Sequence, residues 1–435
     1  MKKETIIIMT SLSMLLSACS NGPDTNEHSG HENMEQPQGD HGDSHSDEHH
    51  DDHEHSDDIF GEMNKNQSYE IPDEFNEAAS QNLQTLMTKN STRLNTSEAA
   101  AASILTSQMI WPSTHKNSQP GTVILIPENN WQIGLAAVDL IHHPNNGPVL
   151  HYSEKGIPEN VMNEIKRLNP KGNVNKTQVM VMGDAPDAVT QQLQGYVIQE
   201  VRGSSPEKFA ADIDQTYAEV TDNKYPESII IVSSEENAKP YSLLAANWIA
   251  HMPEPILFVN DKGIPEETKN ALKKRDGKAN LYLLGAKKEI TDEVAKELKT
   301  YGSVTRIKGK DPVSMSVEFA KFKDKDTGFG WGLTDPGHGV SFISTTTPQL
   351  VIPAAPFSHL GKHAPLVWLE NGKANKTVVD FLAEIKPAFK ENPQEGPYNH
   401  GIIIGDLQAI PYQTQGILDD VLEIVPASGD AHGGH

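Results

Sequence analysis

Hydrophobic and polar positions follow one arrangement three times along the chain. A short apolar strand leads into a helix, a second apolar run ends in a charged turn, and a third run closes on Gly. The first runs are Thr122-Val123-Ile124-Leu125-Ile126-Pro127, Ser228-Ile229-Ile230-Ile231-Val232-Ser233 and Gly339-Val340-Ser341-Phe342-Ile343-Ser344. The second runs are Gly147-Pro148-Val149-Leu150, Glu254-Pro255-Ile256-Leu257-Phe258 and Ala364-Pro365-Leu366-Val367-Trp368. The Gly-ended runs are Val179-Met180-Val181-Met182-Gly183, Leu281-Tyr282-Leu283-Leu284-Gly285 and Ile402-Ile403-Ile404-Gly405. Equivalent positions stand roughly 100 to 120 residues apart, so each copy is the size of a domain rather than of a solenoid repeat. Each copy also has a lead-in that opens a helix before its first strand, at Thr96-Ser97-Glu98, Ser205-Pro206-Glu207 and Asp311-Pro312. Ser or Asp followed by Pro or an acid is a helix-start signal.

Near-continuous apolar strands separated by amphipathic stretches such as Asp187 to Tyr196 and Thr291 to Tyr301 predict parallel sheets covered on both faces. The expected class is α/β: three tandem Rossmann-like parallel-sheet units after a polar tail. The expected segments are a signal over 1–19, a His/Asp/Glu-rich disordered tail over 20–66, and a connecting helix over 67–90. Repeat units follow over 91–199, 200–304 and 305–426, with a flexible end over 427–435.

Lys2 and Lys3 followed by the apolar Ile6 to Leu16 read as an export signal, too short to span a bilayer as a stable helix. Leu16-Ser17-Ala18-Cys19 matches a bacterial lipobox, and Cys19 is the only cysteine. Its lipidation would exclude disulfides and thiol chemistry and would place the protein at the extracellular face of the membrane, anchored by acyl chains. Ser20 to Asp58 has no Lys or Arg, 8 His, and 13 Asp and Glu out of a formal net charge of −24. Such a segment cannot bury enough apolar surface to fold. Imidazoles beside carboxylates suit Zn, Ni or Cu(II), and His45, His49, His50, His53 and His55 are the candidate metal ligands. Loose metal capture and a plain solvated spacer both fit this composition. No motif requires a cofactor; Zn or another divalent cation on the tail is the one ion implied.

The second unit carries the clearest likeness to a known family. It reads Ile229-Ile230-Ile231-Val232-Ser233, Leu243-Leu244-Ala245-Ala246, Pro255-Ile256-Leu257, Ile264-Pro265-Glu266-Glu267-Thr268, Leu283-Leu284-Gly285, Ile290-Thr291-Asp292-Glu293-Val294 and Lys308-Gly309. This order resembles the cell wall-binding repeat type 2 modules of Gram-positive bacteria, over roughly residues 91 to 425. The resemblance implies three modules in a pseudo-threefold assembly that binds wall polymer or peptidoglycan without covalent attachment. The chain departs from the family where an aspartate is usual, having Ile133, Tyr241 and Leu350. It also lacks the double glycine, having Gly183-Asp184, Gly285-Ala286 and Gly405-Asp406.

In open parallel sheets, ligands bind beyond the strand C-termini. Those loops put forward Asn129, Asn130, Gln132, Ser234, Glu235, Asn237, Thr346 and Gln349 for hydrogen bonding to sugars, without an Arg or Lys cluster to clamp phosphates. Solvated connecting loops fit the same residues. His142-His143-Pro144 reads as a helix end, and His338, His359 and His363 match no metal-motif spacing. No nucleophile elbow or P-loop is present, and Gly328-Phe329-Gly330-Trp331-Gly332 reads as a turn-rich linker, so no enzyme activity is expected. The acidity argues against nucleic acid. A wall-binding lipoprotein, with divalent cations bridging acidic module and anionic polymer, is the leading reading. A metal-handling surface lipoprotein acting through its tail is the alternative. A solute-binding transporter component would show two lobes and one cleft.

Overall fold

The computed structural model describes residues 69–428 except 82, 361 and 362. The expected signal, Cys19, the tail histidines and residues 429–435 lie outside the described residues. The described chain is α/β, with three parallel four-stranded sheets.

The first sheet contains β2 (Val123–Pro127), β3 (Val149–Tyr152), β4 (Val179–Met182) and β5 (Ile198–Val201), in the order β3-β2-β4-β5. The second repeats this with β6 (Ser228–Ser233), β7 (Ile256–Val259), β8 (Ala279–Leu283) and β9 (Gly302–Arg306), in the order β7-β6-β8-β9. The third contains β10 (Gly339–Ser344), β11 (Leu366–Leu369) and β13 (His400–Ile404); its fourth position is taken by β1 (Ser91–Leu94), from the other end of the chain. Ser91 to Leu94 pair in parallel with Gly401 to Ile404. The C-terminal β14 (Val425–Pro426) instead pairs with β12 (Ala388–Phe389) in a separate ribbon.

One edge strand of each sheet is followed by the lead-in helix of the next unit: Ala99–Ile110 after β1, Pro206–Val220 after β5 and Pro312–Lys321 after β9. Those helices pack on β3, β7 and β11 respectively. The chain therefore hands over from unit to unit at each of these three joints, and β1 closes the cycle by pairing in the third sheet. Ser205 accepts a hydrogen bond from the Lys208 amide, and Asp311 with Ser314 forms a capping box. These caps satisfy amide donors the helix cannot pair itself. The first lead-in helix starts at Glu98 without a side-chain cap.

Central strands are buried on both sides, which explains their unbroken apolar runs. In β2 the faces serve different layers. Val123 and Leu125 join the outer core of the first unit with Trp111, Leu150 and Val161, while Ile124 and Ile126 point into a core shared by all three units. The helical segments after the first strand of each unit meet in that shared core. They are Trp131–Ala137 with Val138–Leu140, Ala245–Ile249, and Val351–Ala354 with Ala355–Ser358. Gly134 lets two of them approach closely, since a Cβ there would lie 2.9 Å from the Ile352 side chain.

Two expectations are corrected. No connecting helix forms over the described part of 67–90; it holds a single 3-10 turn, Glu77–Ser80, capped by Asn76. Pro72 upstream and Asn, Gln, Ser and Thr throughout deprive that stretch of a continuous apolar face. Gly328 to Gly332 is not a mere linker. Phe329 is buried and stacks on Tyr282 at 3.7 Å between ring centroids, and Trp331 meets the edge of Trp248 at 5.0 Å.

Candidate functional site

Two features stand out: clefts at the strand C-termini, and a histidine cluster where the units converge.

A cleft of about 230 Å³ opens beyond β2, β3 and β4, lined by Glu128, Asn129, Asn130, Ser153, Glu154 and Asp184 among others. Asn129 is exposed, whereas Asn130 is partly committed, because its Oδ1 accepts from the Ile133 amide at 3.1 Å and caps the helix there. At the floor, Tyr152 donates to the Met182 carbonyl at 2.6 Å; burial and then Asp184 push its pKa up to about 12, so it remains a neutral phenol. The second unit has an equivalent cleft of about 670 Å³, lined by Glu235, Asn237, Asn260, Asp261 and Lys288 among others. Glu235 there accepts from the Asp261 amide at 3.2 Å.

In the third unit the corresponding hollow, about 600 Å³, is shared with Ile71, Pro72 and Phe75 of the N-terminal segment and is apolar in character. The three units are thus not equivalent as binding surfaces. Both polar clefts carry more carboxylates than cations: the first has no Lys or Arg, and the second sets Glu235, Asp261, Glu289, Glu293 and Glu297 against Lys262 and Lys288. They suit hydrogen bonding to hydroxyl-rich ligands and repel bare anions.

The remaining expected sugar-binding residues are placed differently. Gln132 donates to the Ser234 carbonyl at 2.9 Å, joining the first unit to the second, and Gln349 donates to the Ser97 carbonyl at 3.1 Å, joining the third to the first lead-in. At the matching place in the second unit the Pro240 carbonyl accepts from Trp368 of the third at 2.9 Å. This position holds the cycle together rather than facing a ligand. Ser234 bonds Glu207 at 2.9 Å, and Thr346 shares a hydrogen bond with Ser344 at 2.7 Å. Ile133, Tyr241 and Leu350, which stand where the family's aspartate is usual, are all buried.

The histidine cluster was only half visible in the sequence. His142, His251 and His359 each end the helical segment that follows the first strand of their own unit. One ring nitrogen from each lies within 4.8 Å of the others. His143 stacks on His142 and His363 lies tilted against His251, both at 4.4 Å between centroids; both outer rings are exposed. The three inner rings are half-buried. Burial, then neighbouring imidazoles, lower the pKa of His251 to about 4 and of His359 to about 3, so both are neutral near pH 7. The His142-His143 pair does end a helical segment, yet His142 also belongs to this group. His338 does not; it pairs with Asp335 at 3.1 Å. His251 was overlooked. The signal available for it was its recurrence at the same place in each repeat, about 110 residues apart.

No family model matches the chain, and no curated protein matches it. Solved structures do. Cwp6 from Clostridium difficile matches 77% of this chain with a TM-score of 0.62 at 15% identity, and Cwp8 from Clostridium difficile matches 76% with a TM-score of 0.57 at 15% identity. The match covers 48% and 52% of those chains, so this chain spans about half the length of the structures it resembles. At that identity the likeness establishes a shared fold.

Proposed function

We propose that this chain is a cell-envelope protein that binds wall polymer non-covalently, held at the outer face of the membrane through lipidated Cys19. The observation that carries this reading is the repeated polar cleft at the strand C-termini of the first two units. It occurs in a fold shared with Cwp6 and Cwp8, both cell wall proteins, and in a sequence resembling wall-binding repeats. Asn129 and Asn237 are the exposed contacts offered to sugar hydroxyls. Because both clefts are acidic, an anionic polymer would be held through bridging divalent cations. The reading is of a binding protein without a catalytic step.

Sedimentation of residues 66–435 with isolated walls tests it. Pelleting with intact walls, lost when the secondary polymer is stripped, is the expected result. Equal pelleting with both would move the ligand to peptidoglycan, and no pelleting with either would refute the reading. An arm with EDTA separates cation bridging from direct hydrogen bonding. Radiolabelled palmitate incorporation, abolished in Cys19→Ala, tests the anchor.

A second reading, a metal-binding surface lipoprotein acting through His45, His49, His50, His53 and His55, gains support from the imidazoles that also converge in the folded body. Removing residues 20–58 would collapse metal capacity under that reading and leave wall pelleting intact under the first.

A further inference from the structure

We infer that His142, His251 and His359 form a binding site for one borderline divalent transition ion, of which Zn²⁺ is the probe, built at the junction of the three units. The first ground is convergence. The three residues occupy the same place in their repeats, and the packing of the units brings one nitrogen of each within 4.8 Å of the others. Tetrahedral ligands at Zn–N distances of about 2.0–2.1 Å stand roughly 3.3 Å apart, so modest side-chain rotations would close the set around an ion.

The second ground is how the rings are held. The Nδ1 of His142 lies 2.7 Å from the carbonyl oxygen of His251 and donates to it, so Nε2 is the ring nitrogen left to face a metal ion. A ligating histidine is oriented in this way by its other nitrogen. The Nδ1 of His251 is buried and has no hydrogen-bond partner in the protein. An unpartnered buried nitrogen is costly unless something else satisfies it, and a metal ion does so.

Ligand chemistry sets the class of ion. Three imidazoles with no carboxylate in the group favour Zn²⁺, Ni²⁺ or Cu²⁺ over the oxygen-seeking Ca²⁺ and Mg²⁺. The half-buried setting leaves a fourth position open to solvent, the arrangement of an exchangeable rather than a sealed site. Because each ligand comes from a different unit, the ion would pin the junction.

The test uses the full chain, thermal unfolding and metal-buffered free Zn²⁺, so that tail histidines do not deplete the ion. Binding restricted to the folded body raises Tm, whereas binding equally available to the unfolded chain does not. The wild-type Tm should rise with free Zn²⁺, and His251→Asn and His359→Asn should each shift the required concentration upward by a hundredfold or more, since even losing a supporting partner costs about 10–100-fold. Circular dichroism of each metal-free variant guards against misfolding, and whichever variant folds is decisive. A Co²⁺ difference spectrum should show wild-type ligand-field bands that the variants lack. The same Zn²⁺ dependence of Tm in wild type and variants, or identical Co²⁺ spectra, would overturn the site. Neither readout depends on wall binding.

Discussion

Replacing Asp214 with Asn should be among the most damaging isosteric changes in the described chain. Asp214 lies on the lead-in helix Pro206–Val220 and Arg275 lies just past the helix Glu266–Lys273 of the second unit, with both side chains 1% exposed. They meet through two parallel bonds of 2.6 and 2.7 Å, and the guanidinium is completed by the Pro226 and Ala271 carbonyls at 3.0 Å each. Asn keeps the shape but removes the counter-charge and turns an NH₂ toward a group that can only donate. Leaving a buried charge unpaired costs about 3–5 kcal/mol. With an unfolding entropy of about 2.1 cal/mol/K per residue over roughly 360 residues, that is a fall in Tm of about 4–7 °C. Urea denaturation with linear extrapolation gives the free energy directly. The double change Asp214→Leu with Arg275→Met removes both desolvated charges and should recover most of the loss, because apolar replacement of a buried pair is often neutral or stabilising by about 1–4 kcal/mol. A single variant within about 1 kcal/mol of the parent, or a double variant worse than the single, would refute the reasoning.

Further outcomes follow from other sites. Burial pushes the pKa of Glu254 up to about 7 from 4.5, against the opposing Trp248 hydrogen bond and Lys323. Its effect is absent below pH 4.5, where both states are protonated. As pH rises toward 7 only the unfolded state ionises, and stability falls by about 3 kcal/mol at most. Glu254→Gln should flatten the stability profile across that window when unfolding is measured from pH 4 to 8. Phe329→Ala should cost about 3–5 kcal/mol in urea denaturation, since it empties a buried site stacked on Tyr282. Gly372 has φ +75° and a Cβ there would lie 1.9 Å from the Ala409 carbonyl oxygen, so Gly372→Ala should lower Tm although its neighbours Asn371 and Lys373 are exposed.

The apolar strands of the three sheets were legible because burial on both faces leaves an uninterrupted Val/Ile/Leu signature, as in Ile229 to Val232. The sheet edges were not. Ser91-Thr92-Arg93-Leu94 is short and polar, and only its distant partner makes it a strand. The helix expected over 67–90 failed for the opposite reason, since its scattered apolar residues serve as contacts for the third unit's hollow rather than as a helix face. Asn129 and Asn237, put forward from strand-end reasoning, line the clefts of the first and second units. Gln132 and Gln349 could not be recognised as inter-unit contacts until the cycle was known. The histidine cluster was hidden because its members come from three units, and no local spacing links them.

The pairing of β1 with the last sheet also sets an order of events. Arg93 and the Gly405 carbonyl it bonds at 2.8 Å stand 312 residues apart. During vectorial synthesis, β1, the first of the described strands, waits for the third sheet before it finds its neighbour. Until then the nascent chain carries an unpaired strand, the kind of edge that invites mispairing between molecules. A product truncated after the second unit would retain that edge permanently, because the third sheet supplies the strand that β1 pairs with.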